Sequence, residues 1–171
     1  MPTTTFTPEE IQEFKRLLGK VREENFFLPD EETMRAVHGT FSMWAPELVI
    51  IRNNNGKGKE ILLAIYDGGM EEFHGAWHIP GGYNEWPELD IQATCSRVAK
   101  REIGTDVLYV RTLDSYKWRT GEHPYGHPLS LFVMCEPTEE IVETEKLRFF
   151  PVRELPLGLL GPHRRFIERF L

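Results

Sequence analysis

The sequence predicts an α/β sandwich, a mixed β-sheet with helices packed on it. Three observations carry this expectation. Residues 47–52 and 60–66 are β-rich runs separated by Asn53, Asn54, Asn55 and Gly56, a strong hairpin signal. A short strand at 76–79 ends in Pro80-Gly81-Gly82 and is followed by a helical pattern over 89–103. More strands and a terminal helix come after it, so the element order is mixed.

Taken in order, the first helix is announced by Thr7 as N-cap, Pro8 at the first helical position and Glu10 completing a capping box. Ile11, Phe14, Leu17, Leu18 and Val21 recur at helical spacing and define one apolar face. Residues 26–29 break the helix. Asp30 can cap a second, short one through Val37, closed by Gly39. The two hairpin strands follow, then a glycine-rich loop with Asp67, Gly68, Gly69 and Gly75. In the central helix, Ile91, Cys95, Val98 and Ala99 fit one buried face, and Gly104 terminates it. Strands are expected at 107–113 and 129–135, joined by a polar connection containing His123 and His127, and again at 147–152. Pro162 opens a last helix to Leu171, with Phe166, Ile167 and Phe170 facing inward.

The chain has 171 residues, enough for one domain with a proper core. Net charge is -7 with acids and bases interspersed, which argues against nucleic-acid or anionic-membrane partners, since both need a basic face. A phosphate ligand remains compatible, because a divalent cation bridges acids to phosphates. Cys95 and Cys135 do not amount to a disulfide framework. No signal peptide is read at 1–7 and no apolar run approaches a membrane span, so a reduced cytoplasmic protein is expected.

The chemistry concentrates where Trp77-His78-Ile79-Pro80-Gly81-Gly82 leaves a strand for a turn. Pro80 ends strand pairing, and the glycines permit tight or positive-φ turns whose carbonyls can coordinate a hard cation. The following helix carries Glu85, Glu88 and Asp90 at its start and Glu102 at its end. A divalent cation could sit between loop and helix and bridge phosphate oxygens.

This stretch, residues 77–107, resembles the Nudix box: glycine, five residues, glutamate, seven residues, arginine-glutamate, an aliphatic, any residue, two glutamates, any residue, glycine. Gly82 matches the opening glycine, Glu88 the early glutamate, Arg97 the arginine and Glu102 the last glutamate, with one residue inserted between Gly82 and Ala93. Val98 and Arg101 stand where the family has two further glutamates. The flanking WHIPGG, ILLAIYD and LRFFPVRELP segments extend the likeness to roughly residues 44–171. The resemblance implies a Nudix-type α/β/α sandwich over 41–171, with 1–40 an N-terminal helical extension packed on it.

It also implies Mg²⁺, or Mn²⁺, and a small-molecule nucleotide or nucleotide-sugar substrate. The metal ligands would be Gly81, Glu102 and Glu88, with Gly82, Arg97 and Arg101 toward substrate. GDP-mannose mannosyl hydrolases are similar in placing an aliphatic residue after the box arginine and keeping only the last glutamate. In that branch water attacks the sugar carbon with a late-loop histidine as base; here Glu143-Thr144-Glu145 stands at that place. Glu145, Glu143, His127 and His123 are therefore the candidate bases. The leading expectation is a hydrolase of a nucleoside diphosphate linked to another group, a sugar in the first instance. The alternative is a Nudix-fold nucleotide-binding or regulatory module without catalysis, in which Arg101 takes the metal's charge position and touches phosphate itself. A third reading makes the N-terminal helices an interaction surface, with a homodimer as its simplest form. The tryptophans and tyrosines Trp44, Trp77, Trp86, Tyr83, Tyr116 and Trp118 are candidates to stack a nucleobase, or simply core.

Overall fold

The computed structural model describes residues 6–23, 32–33, 43–54, 58–68, 70–85 and 88–171. Most of the expected helix at 30–37, the hairpin tip at 55–57 and Trp86 lie outside the described residues. The elements in chain order are α1 (Pro8–Glu23), β1 (Trp44–Val49), β2 (Ile51–Asn54), β3 (Gly58–Ile65), β4 (Trp77–His78), α2 (Ile91–Glu102), β5 (Val107–Lys117), β6 (Leu129–Pro137), β7 (Leu147–Pro151) and α3 (Gly161–Phe170).

Helix α1 starts where the capping box puts it. The Thr7 N–H donates to Glu10 Oε2 at 2.7 Å, and the Glu10 N–H to Thr7 Oγ1 at 3.2 Å. Its apolar residues Ile11, Phe14, Leu17 and Leu18 are exposed.

The run at 47–52 forms two strands, not one. β1 pairs in parallel with β6, which pairs antiparallel with β5. β2, β4 and β7 all pair antiparallel with β3, in a second sheet. Ile50 is the joint: its carbonyl accepts the Leu62 N–H at 3.0 Å where the chain crosses between sheets.

Strand alternation then feeds two cores. Leu48, Leu62, Ala64, Val133 and Cys135 pack with Cys95, Val98, Ala99 and Ile103 at α2. Their neighbours Val49, Ile61, Leu63 and Phe132 point the other way, onto Phe166 and Ile167 of α3. The sheets are thus covered on opposite faces, an α/β/α sandwich. Each fully buried aliphatic contributes roughly 1.5–3 kcal/mol of transfer free energy before entropy is counted. Cys95 and Cys135 are both free and buried in the α2-side core.

Helix α2 begins two residues later than the expected start at residue 89, because Asp90 is the cap: its Oδ1 accepts the Ala93 N–H at 2.8 Å. It ends where Gly104, at φ 82°, turns its N–H onto the Ala99 carbonyl at 3.0 Å. This sets Arg97, Arg101 and Glu102 beside the Pro80–Gly82 turn. No helix among the described residues is long and apolar enough to cross a membrane.

Candidate functional site

The turn after β4 is pinned to β1. Leu48 N–H donates to the Pro80 carbonyl at 2.7 Å, Gly82 N–H donates to the Pro46 carbonyl at 3.3 Å, and Glu47 bridges antiparallel to Gly81. Neither Gly81 nor Gly82 is among the glycines with positive φ, so the expected backbone reason for this pair is replaced by a steric one. A Cβ on Gly81 would overlap the Glu47 carboxylate. One on Gly82 would lie 2.6 Å from Arg101 Nη2 and 3.2 Å from Val98 Cγ2. Gly81 needs glycine because the buried Glu47 carboxylate and the Pro46 carbonyl fill the space, whereas at Gly82 the closest atom is the tip of the flexible Arg101 side chain and the fixed neighbour is Val98.

Gly81, Gly82, Arg101 and Glu102 come together. Arg101 Nε donates to Glu102 Oε1 at 2.9 Å, and its Nη2 reaches the Gly81 carbonyl at 3.3 Å. The Arg101 side chain is 47% exposed, while that of Glu102 is 23% exposed. Burial raises the Glu102 carboxyl above its ordinary range, and Asp67 adds to this, against the opposing pull of Arg101. Glu102 Oε2 lies 3.8 Å from Nε2 of His78, too far for a hydrogen bond. His78 is buried and its pKa is pushed down to about 4 by desolvation, so it stands neutral beside the carboxylate.

Val98, at the position of a box glutamate, is fully buried in the α2-side core and takes no polar role. Arg97 and Glu88 form a separate unit. Arg97 Nε donates in a short bond to Glu88 Oε1, Nη2 to Glu88 Oε2 at 3.1 Å and to the Tyr83 carbonyl at 2.5 Å, and Nη1 pairs with Glu85 Oε1 at 2.9 Å. Glu88 Oε2 also accepts from Glu85 N–H and from Thr94 Oγ1, each at 2.8 Å. Burial alone would raise this carboxyl; Arg97 and the other donors hold it below its usual range.

The remaining candidates are dispersed. Glu143 accepts Arg52 Nη1 at 2.8 Å and the Phe149 N–H at 3.0 Å. Glu145 is exposed and precedes Lys146, whose Nζ donates to Asp67 Oδ2 at 3.0 Å. His123 accepts the Tyr125 N–H on Nδ1 at 3.1 Å and meets the Tyr83 hydroxyl through Nε2 at 3.3 Å. His127 Nδ1 lies 3.2 Å from the Trp118 carbonyl. Trp77 packs edge-to-face on Phe150, and Tyr116 bonds Glu122.

Beneath the turn lies a buried polar cluster that the sequence reading passed over. Ser130 Oγ donates to Glu47 Oε1 at 2.6 Å and accepts from Trp118 Nε1 at 2.9 Å. His163 Nδ1 accepts the Ile79 N–H at 2.9 Å, so its proton sits on Nε2, 3.9 Å from Glu47 Oε1. Complete burial pushes the Glu47 carboxyl up to about 8 and His163 well below its ordinary value. A lone acid in the apolar strand run 47–52 was the available signal for Glu47. Asp67 was legible only as a loop residue.

Two oxygens, the Gly81 carbonyl and Glu102, thus converge on one cation, the Arg101 guanidinium, and the position suits positive charge. Among the described residues no group of three or more His, Cys, Asp or Glu is arranged to hold a metal. A divalent ion here would take these two protein oxygens and complete its shell from water and phosphate.

The fold is an α/β/α sandwich in which a glycine turn faces a helix-borne glutamate. The family model of the NUDIX domain matches residues 45–170, and the chain belongs to the Nudix family. Solved structures share the fold at low identity. The MutT NUDIX hydrolase from Burkholderia pseudomallei is 21% identical at a TM-score of 0.57, over 77% of this chain and 99% of that one. The NUDIX domain of Shewanella oneidensis NrtR complexed with ADP ribose is 14% identical at 0.57, over 75% and 86%. A UDP-X diphosphatase is 18% identical at 0.57, over 96% and 82%. No curated protein matches the sequence.

Proposed function

We propose that this protein is a Mg²⁺- or Mn²⁺-dependent hydrolase of a nucleoside diphosphate linked to another group, with a GDP-mannose-like nucleotide sugar the first substrate to test. The observation that carries the reading is the convergence of the Gly81 carbonyl and Glu102 Oε1 on one cation position. The metal, held there with the substrate's phosphates, would neutralise the charge developing on the diphosphate leaving group. Arg101, half exposed, would turn from the Gly81 carbonyl to phosphate as substrate enters. The hydrogen bonds from β1 keep the Gly81 carbonyl aimed, and the Arg97–Glu88 pair keeps the loop after it in shape. Glu145, Glu143, His127 and His123 are the side chains to test for accepting the proton of the attacking water. Residues 41–171 would form the catalytic domain and 1–40 a helical extension.

Support also comes from neighbours of the same fold whose names specify ADP ribose and UDP-X. The test is turnover of nucleoside diphosphate sugars, dinucleoside polyphosphates and nucleoside triphosphates with Mg²⁺ or Mn²⁺. Glu102→Gln is expected to lower turnover about 100-fold, in the range seen when one charge-stabilising group is removed. The products identify the bond cleaved.

A second reading follows from Arg101 itself. Its guanidinium already bridges the two oxygens, so a binding module could hold phosphate without metal. Absence of turnover on every class, together with metal-independent nucleotide binding that survives Glu102→Gln, would select this reading over the hydrolase.

A further inference from the structure

Among the described residues, three buried side-chain atoms lack a hydrogen-bond partner: His78 Nε2, Thr105 Oγ1 and His163 Nε2. The two histidines are opposite cases. His163 Nδ1 accepts the Ile79 N–H, so its Nε2 carries the proton. In His78, desolvation lowers the pKa, but a hydrogen bond between the ring and the Ile79 backbone raises it, the sense expected when the ring donates. Nε2 makes no hydrogen bond, so the donated proton is on Nδ1 and Nε2 holds a buried lone pair.

We propose that His78 Nε2 is a ligand of the divalent ion at Gly81 and Glu102, an assignment that rests on the phosphate-site reading above. Its consequence is a site that favours a first-row transition ion over Mg²⁺, because imidazole suits the former and Mg²⁺ keeps to oxygen and water.

The spacing supports this. Nε2 lies 3.8 Å from Glu102 Oε2, too far for a hydrogen bond. Two donors on one ion, each at about 2.1 Å, lie about 3.0 Å apart across a right angle and about 4.2 Å apart when opposed. Glu102 also stands between the other two ligands: Oε1 shares Arg101 with the Gly81 carbonyl, while Oε2 faces His78.

The ring is held for the task. His78 is 5% exposed, its backbone pairs with Ala64 of β3, and its ring packs edge-to-face on Tyr66 at 5.5 Å. A second ring nitrogen bonded to a backbone carbonyl is the usual means of orienting a metal-binding histidine. Charge agrees as well. Desolvation dominates the ionisation of both His78 and Glu102; beyond it, the negative charge of Asp67 acts on both and that of Arg101 opposes it. Arg101 is the group that turns to phosphate in the reading above, which leaves the gap to a cation.

The experiment uses Mn²⁺ as the probe, alone and with inorganic pyrophosphate. Pulsed EPR of the wild-type protein should show nitrogen coupled to bound Mn²⁺, with the coupling altered when the histidines carry nitrogen-15. His78→Gln should abolish it and weaken Mn²⁺ binding about 10-fold by calorimetry, while Mg²⁺ binding changes by less than about 3-fold. If that variant fails to fold, the wild-type coupling is assigned from the imidazole whose proton NMR signals Mn²⁺ broadens first, expected to be the ring packed on Tyr66. Mn²⁺ bound to the wild-type protein without histidine coupling overturns the assignment and leaves an oxygen-only ion site standing. Coupling that persists in His78→Gln, or equal losses for both ions, overturns it too. Failure of Mn²⁺ to bind, with or without pyrophosphate, overturns it together with the phosphate-site reading.

Discussion

Helix α2 carries two arginines one turn apart, and each reaches a glutamate, yet the two pairs are built differently. Arg97 is closed in: Glu88, Glu85 and the Tyr83 carbonyl take its donors, and the Glu88 side chain is only 11% exposed. Arg101 bonds its chain neighbour Glu102 and one loop carbonyl. The carboxylates differ in the same sense. Glu88 is surrounded by donors and held below its ordinary range, whereas Glu102 is desolvated and held above it. A carboxylate with its hydrogen bonds filled can fix a loop. One removed from water but short of donors gains by meeting a cation. The contrast separates a closed structural pair from an open pair on one helix, the open one being the pair proposed to meet the ligand.

The largest break in that contrast should come from Arg97→Ala. It leaves Glu88 largely buried without its main partner, and unfolding free energy should fall by about 2 kcal/mol in a denaturant titration. A loss below about 0.5 kcal/mol would place Arg97 with the surface pairs. Gly81→Ala comes next, because its methyl must displace the buried Glu47 carboxylate. A cost of roughly 1–2 kcal/mol is expected. Combining it with Glu47→Ala should recover part of that loss, and strict additivity of the two would show that they do not touch.

The pH dependence of stability sharpens the comparison. Glu88 is depressed, so its contribution is fully present above the ordinary carboxylate value and disappears as pH falls through its lowered value. Glu102 is raised, so its contribution is fully present below the ordinary value and is lost as pH rises through its own. Unfolding measured from pH 3 to 7 should therefore show Glu88→Gln flattening the acid side, while Glu102→Gln removes the opposite slope. The smallest effect on stability belongs to Arg101→Ala, within about 0.5 kcal/mol because the guanidinium is half exposed. The Glu102 carboxyl should nevertheless move further up, since Arg101 pulls it down. Carbon-13 NMR titration of that carboxyl checks this, and a downward move would break the pair.

Much of this was legible in the sequence because it is local. The capping box at Thr7 and Glu10, the Gly104 stop and the inward faces of α2 and α3 follow from spacings of three or four residues. The box register also located Gly82, Glu88, Arg97 and Glu102, although the reason for the glycines came out as steric. Less was legible where strands change partners. Residues 47–52 look like one strand because the pattern has no mark for a joint such as Ile50, whose crossing between sheets depends on β3 and β6.

By itself the sequence determined the order of elements, the two helix faces and the glycine turn leading to a helix with Glu102 at its end. Each of these is set by backbone preference and periodicity within a few residues. The tertiary structure alone decided that Glu47 is buried under Gly81, that Ser130, 83 residues away, bonds its carboxyl, and that His163 accepts from Ile79 across 84 residues. It also decided that Arg97 closes a loop while Arg101 lies open. These outcomes depend on which surfaces meet when the sheets and helices pack, and the desolvation that moves Glu47, His78 and Glu102 from their ordinary ionisation exists only after that packing.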